Sequence, residues 1–138
     1  MNVSDKGVAL LALREGRRNK AYQDVKGIWT IGVGHTGPEV VKGLVWTDEQ
    51  IDAVLRNDLD EVEQTINQYV ISPLTQNQYD ALTSFIFNVG DFAFSHSTML
   101  KKINLRDFDG AALEFDKWHK PIQIISRRDS ERDQFSTP

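Results

Sequence analysis

The sequence contains no cysteine, so neither disulfides nor thiolate metal sites contribute and the redox state of its compartment is irrelevant to folding. It has no apolar run long enough to span a bilayer, no internal repeat and no low-complexity tract. The opening residues Met1 to Gly7 lack the basic-then-apolar layout of a signal peptide. Synthesis in the cytoplasm without membrane insertion is therefore expected, and action elsewhere requires outside help. Positive charge is also in short supply: 16 Lys and Arg against 20 Asp and Glu leave a net charge of −4, which argues against nucleic acid as the main partner. Of the few histidines, His96 and His119 show no ligand spacing with His35 or with each other, so no metal is expected. What is present is ordinary for a globular protein. Within 138 residues, 40% are hydrophobic and 26% charged, enough to build a single domain, 1–138, that folds unaided.

Ser4 is a plausible N-cap for a helix through Val8, Leu11 and Ala12 to Glu15, with Gly16 as its stop. From Lys20 to His35 the helical period disappears. Tyr22, Trp29, Ile31 and Val33 alternate around Asp24-Val25-Lys26-Gly27, as in a β-hairpin. Thr47-Asp48-Glu49-Gln50 is a capping-box pattern, and Ile51, Val54, Leu55, Leu59, Val62 and Ile66 then hold helical spacing for about five turns. The opposite face carries Asp48, Glu49, Asp52, Asp58, Asp60, Glu61 and Glu63, read for the most part as solvated. Thr75-Gln76-Asn77-Gln78 is a second capping box before Leu82, Phe85, Ile86 and Val89, ending at Gly90. Shorter helices fit Ser97 to Asn104, Asp107 to Trp118 and Ser126 to Phe135. The pattern predicts an α+β fold with lobes at roughly 1–46 and 70–138, a connecting helix over about 48–68, and a cleft between the lobes.

Cleaving a glycosidic bond requires a carboxylic acid that protonates the leaving oxygen and a second group on the opposite face of the sugar. Glu15, Asp24 and Thr30 offer such a set. Glu15 ends a helix, where the negative end of the macrodipole favours the protonated form, while Arg14, Arg17 and Arg18 act in the other direction. Asp24 begins the hairpin turn, a wetter place where a carboxylate stays ionised and can orient water. Gly32 and Gly34 share a face with Thr30 and leave room for a sugar chain to approach. Arg14, Arg17, Arg18 and Lys20 could form a local patch attracting an anionic substrate despite the negative total.

These residues resemble the phage-type lysozymes of glycoside hydrolase family 24. Glu15-Gly16, then Ala21-Tyr22-Gln23-Asp24, then Thr30-Ile31-Gly32-Val33-Gly34-His35 are similar to that family's signature of Glu, eight residues, Asp, five residues, Thr. Pro73 to Leu82 running into Ser84 to Gly90 is similar to its central helix. Ser97-Thr98, Asn104, Trp118 and Arg127-Arg128 with Glu131 extend the likeness over nearly the whole chain. The resemblance implies a lysozyme-like fold and a muramidase that hydrolyses the β-1,4 bond between N-acetylmuramic acid and N-acetylglucosamine, causing bacterial lysis. Glu15 would be the general acid, Asp24 the group placing the attacking water and Thr30 its hydrogen-bonding partner. An inverting outcome is implied, with carboxyl groups roughly 6.5–9.5 Å apart.

The resemblance further implies a substrate path touching Gly32, His35, Asn88 and Ser97. It also implies support from an Asp58 pair to His35 and from Arg127 or Arg128 reaching Glu15. No cofactor is implied. The partners are peptidoglycan glycan strands and, for release from the host cytoplasm to the periplasmic side of the wall, a holin-type pore; the chain is expected to be a monomer. One departure stands out: only His119 to Ser126 separate Trp118 from the arginine pair, where the family has a longer stretch with a Gly-Leu step. Two rival readings remain, a lytic transglycosylase, against which Asp24 and Thr30 both argue, and a wall-binding module that kept the fold but lost turnover.

Overall fold

The computed structural model describes residues 1–118 and 124–138. His119, Pro121 and most of the short 119–126 segment lie outside the described residues. The elements in chain order are α1 (Asp5–Glu15), β1 (Arg18–Gln23), β2 (Trp29–Gly32), α2 (Asp48–Tyr69), α3 (Gln76–Val89), α4 (Asp91–Ser95), α5 (Thr98–Asn104), α6 (Phe108–Glu114) with a 3-10 turn at Phe115–Lys117, and α7 (Ile125–Phe135). Two compact units emerge: Ala9–Asp60 on one hand, Met1–Val8 with Glu61–Pro138 on the other. The first eight residues thus belong with the helical remainder of the chain rather than with the expected lobe at 1–46. The reason lies in their bonds. Val3 N–H donates to Glu63 at 2.8 Å and Ser4 N–H to Asp80 at 2.9 Å, and the Ser4 hydroxyl also bonds Asp80.

In the unit Ala9–Asp60 the hairpin forms where the alternation placed it. Cross-strand partners are Tyr22 with Thr30 and Gln23 with Trp29, and the ladder shifts register before Arg18 meets Gly32. A third segment flanks β1, with Ala21 N–H donating to Leu44 O and Trp46 N–H to Asn19 O. Alternate side chains therefore point to opposite faces. Ala21 and Ile31 go inward with Val40, packed by Trp29, Leu44 and Trp46.

The helical unit is organised by α3, which packs chiefly on α7. Phe85 on α3 meets Phe115 and Trp118 edge-on at ring separations of 5.2 and 5.5 Å, and Phe115 meets Phe135 of α7. Edge-to-face pairing of this kind adds to the burial of large apolar area. Arg128 and Glu131 are also fully buried here. The pair bond each other, and Glu131 is further satisfied by Arg127 at 3.1 Å and by the Ser84 hydroxyl at 2.5 Å. A buried charge tolerates removal from water only with such partners.

The helix starts follow their caps. Thr47 and Gln50 exchange bonds at the head of α2, and Thr75 and Gln78 do so at the head of α3. Two features differ from expectation. The short α4 had no periodic signal, being only five residues long. The acidic face of α2 is not uniformly solvated either, since Glu63 is buried against the N-terminal backbone. Replacing Thr75 by Ala removes one side-chain acceptor at the start of α3 and is expected to lower stability by about 1 kcal/mol, read as a shift in the urea midpoint at constant slope.

Candidate functional site

The site is built within Ala9–Asp60 from the end of α1 and the hairpin. Leu11 is buried and fixes the helix, and Gly16 at φ +81° ends it, leaving Glu15 on the last turn. Its carboxyl then lies against Gly34. A Cβ at Gly34 would stand 2.6 Å from Glu15 Oε1 and 2.7 Å from Cδ, and Gly34 has φ +64°. The conformation favours glycine, and a side chain here would displace the Glu15 carboxyl. Gly34, expected with Gly32 to leave room for a sugar chain, holds the Glu15 carboxyl against its bare Cα. At Gly32 an added Cβ would meet Ile51 and Trp46 at 3.3 and 3.6 Å, so this glycine serves packing rather than an open approach.

Asp24 continues the ladder, its N–H donating to Ile28 O at 2.9 Å, and its Oδ1 accepts from the Lys26 and Ile28 N–H groups at 2.8 and 2.9 Å. One carboxylate oxygen thus shapes the turn, and Oδ2 takes no hydrogen bond among the described residues. Thr30 is buried, and its hydroxyl donates to Ile28 O at 2.9 Å. That commits its hydrogen and leaves its lone pairs to accept. Because Tyr22 faces Thr30 across the ladder and Asp24 lies two residues beyond Tyr22, Asp24 and Thr30 occupy one face of the hairpin.

Arg17 and Arg18, expected in a free basic patch, are largely spoken for. Arg17 donates to Asp52 at 2.8 Å and lies 3.7 Å from Asp48, and Arg18 sits over the Tyr22 ring at 4.4 Å.

His35 follows Gly34 and closes a bridge with Ile31. Its Nδ1 pairs with Asp58 Oδ2 at 2.7 Å and its Nε2 with Glu39 Oε1 at 2.8 Å. The Asp58 partnership is the one the family resemblance implied; Glu39, four residues on, was missed although that spacing was its one signal. With both ring nitrogens engaged by carboxylates, His35 holds the loop to α2 and has no nitrogen spare for a sugar. Burial works against the imidazolium, but the hydrogen bonds to Asp58 and then Glu39 outweigh it and raise the His35 pKa. Glu39 in turn is lowered, first by its hydrogen bond to His35.

The remaining expected residues lie in the helical unit. The Ser97 hydroxyl donates to Phe94 O at 2.7 Å and accepts from Leu100 N–H at 3.1 Å, which makes Ser97 the N-cap of α5. Asn88 accepts a hydrogen bond from Arg128 through Oδ1. Arg127 also donates to Ser84 O at 2.9 Å, and Arg128 to Trp118 O at 3.1 Å. Both arginines thus tie α7 to α3 and to the segment before the undescribed residues.

The phage lysozyme family matches residues 12–131. The chain belongs to it. An endolysin of Salmonella phage P22 is 45% identical, with 98% of each chain covered, and an endolysin of Acyrthosiphon pisum secondary endosymbiont phage 1 is 44% identical with 99% of each covered. Among solved structures, a mutant of P22 lysozyme superimposes with a TM-score of 0.85 at 43% identity, with 99% of both chains covered. The muramidase domain of SpmX from Asticaccaulis excentricus gives 0.87 at 40% identity, again over 99% of both. The fold is therefore α+β and lysozyme-like.

The histidine latch titrates in a defined direction. A raised folded pKa means that its contribution to stability is full below the ordinary value of 6.5 and fades as pH rises through the raised value. For Glu39 the sign reverses: its contribution is present above 4.5 and is lost as pH falls through the lowered value. Asp58→Asn is expected to lower the His35 pKa in an NMR titration. It should also cost more stability at about pH 5.5 than at about pH 8, on either side of the histidine range. An unmoved His35 titration would contradict the latch.

Proposed function

We infer that this chain is a lysozyme-type enzyme that hydrolyses the β-1,4 bond between N-acetylmuramic acid and N-acetylglucosamine in peptidoglycan. The observation that carries the reading is the seating of the Glu15 carboxyl on the bare Cα of Gly34, in the same unit as a hairpin face bearing Asp24 and Thr30. Glu15 is assigned the general acid that protonates the leaving oxygen. Asp24, with Oδ1 fixed by two backbone N–H groups, offers Oδ2 to the attacking water. Thr30, its own hydrogen given to Ile28 O, accepts the second hydrogen of that water. Two acceptors then orient one lone pair toward the anomeric carbon, which is the arrangement an inverting displacement uses.

Two acceptors placed for water favour hydrolysis over the anhydro-forming route, which needs only the acid. In this reading the enzyme works as a monomer on glycan strands, needs no cofactor, and passes from host cytoplasm to periplasm through a holin-type pore. Among the described residues no helix is long and apolar enough to cross a membrane. One relative, from bacteriophage PS119, bears the name SAR-endolysin and is 37% identical over 86% of this chain.

Glu15→Gln is expected to reduce clearing of cell-wall suspensions by about 10²–10⁴-fold, the range for losing a positioned acid. The wild-type products should be reducing sugars by mass, without anhydro ends. Equal, negligible clearing by both proteins would leave only wall binding. Gly34→Ala offers an independent check, because the new methyl group displaces the Glu15 carboxyl. Turnover should fall at least about 10²-fold, as expected for misplacement near 1 Å, while the Asp24 turn stays intact.

A further inference from the structure

Tyr22 shares the hairpin face of Thr30 and Asp24, yet no role has been given to it. The register sets it directly opposite Thr30, and residues so paired have side chains on one face about 4.5–5.5 Å apart at Cβ. Asp24 remains in the ladder two positions on and therefore shares that face. The Arg18 guanidinium covers the ring at 4.4 Å from its centroid, which holds a half-buried aromatic in one orientation. The hydroxyl, in contrast, takes part in no hydrogen bond among the described residues. The phenol is pushed up, first by burial and then by the charge of Glu15; Arg18 opposes this and Asp24 adds a smaller push. It therefore stays an O–H donor through the neutral range.

We propose that Tyr22 is a substrate-positioning residue of this site, whose phenol O–H donates a hydrogen bond to an oxygen of the bound glycan beside the bond that is cut. The acceptor is a neutral sugar oxygen, either an acetamido carbonyl or a ring hydroxyl. A carboxylate acceptor from a peptide stem is disfavoured by burial and by the nearby Glu15 and Asp24, with Arg18 acting the other way. The proposal rests on the assignment of Glu15, Asp24 and Thr30 to glycan cleavage. It adds a donor to a set otherwise made of one acid and two acceptors.

Tyr22→Phe keeps the ring, its packing and the Arg18 contact and deletes only the donor. On soluble, uncrosslinked peptidoglycan strands kcat/KM should fall about three- to tenfold, the factor that one neutral hydrogen bond contributes. The loss should appear mainly in KM, with the thermal midpoint unchanged. Calorimetric binding of the same strands to Glu15→Gln, with and without Tyr22→Phe, should show the same factor in Kd without any turnover. Unchanged kcat/KM and unchanged Kd overturn the proposal, as does a loss that merely tracks a lower thermal midpoint. Full activity of Glu15→Gln would instead strike the glycan-cleavage assignment itself, so the two failures are distinguishable.

Discussion

A carboxyl group resting on a backbone that carries no side chain is the constraint on which the site depends. Glu15 reaches its place only because Gly34 has no Cβ and adopts a left-handed conformation. Gly34 in turn lies in the turn closed by the Ile31–His35 bridge, directly before His35. Its ring is gripped from two sides, by Asp58 of α2 and by Glu39 of its own loop. The loop that holds the Glu15 carboxyl is thus tied down by a histidine whose two nitrogens bond Asp58 and Glu39. The hairpin adds the second half of the set by register alone, bringing Asp24 and Thr30 to one face while Ala21 and Ile31 anchor the other.

The charge distribution follows from the same economy of partners. Acidic residues on α2 that looked like a solvated stripe divide into separate tasks. Asp48 and Asp52 answer Arg17, Asp58 answers His35, and Glu63 captures the backbone of Val3. Much of the negative excess is thereby answered by specific groups, and the positive charge beside Glu15 is correspondingly quieter than its sequence density suggests. Exposed pairs such as Arg17 with Asp52 contribute modestly to stability; their larger effect here is to hold the start of β1 beside α2.

Much of this was legible from residues alone, because the signals were local. Capping boxes at Thr47 and Thr75, the stop at Gly16 and the alternation around Asp24 each specify backbone within a few positions, and the elements formed there. The Glu15, Asp24 and Thr30 set rested on a family likeness, and their sequence spacing alone had little weight. What escaped were properties that depend on distant partners. Gly32 and Gly34 looked equivalent, yet one packs on Ile51 and Trp46 while the other receives a carboxylate. Ser97 looked like a ligand contact and is a helix cap. Glu39 and Tyr22 gave only a spacing of four and a place in an alternation, and their meaning comes from the ring and the register that the fold supplies.

The bonds from Val3 and Ser4 to Glu63 and Asp80 have a consequence for biosynthesis. As the chain leaves the ribosome, the stretch 9–60 has all its own members in hand after sixty residues. The N-terminal residues that emerge first must wait for partners made later, and their unit closes only when α7 arrives to cover Phe85 and Phe115. The unit that carries Glu15 thus joins residues made early, whereas the helical unit is completed only when its last helix is made.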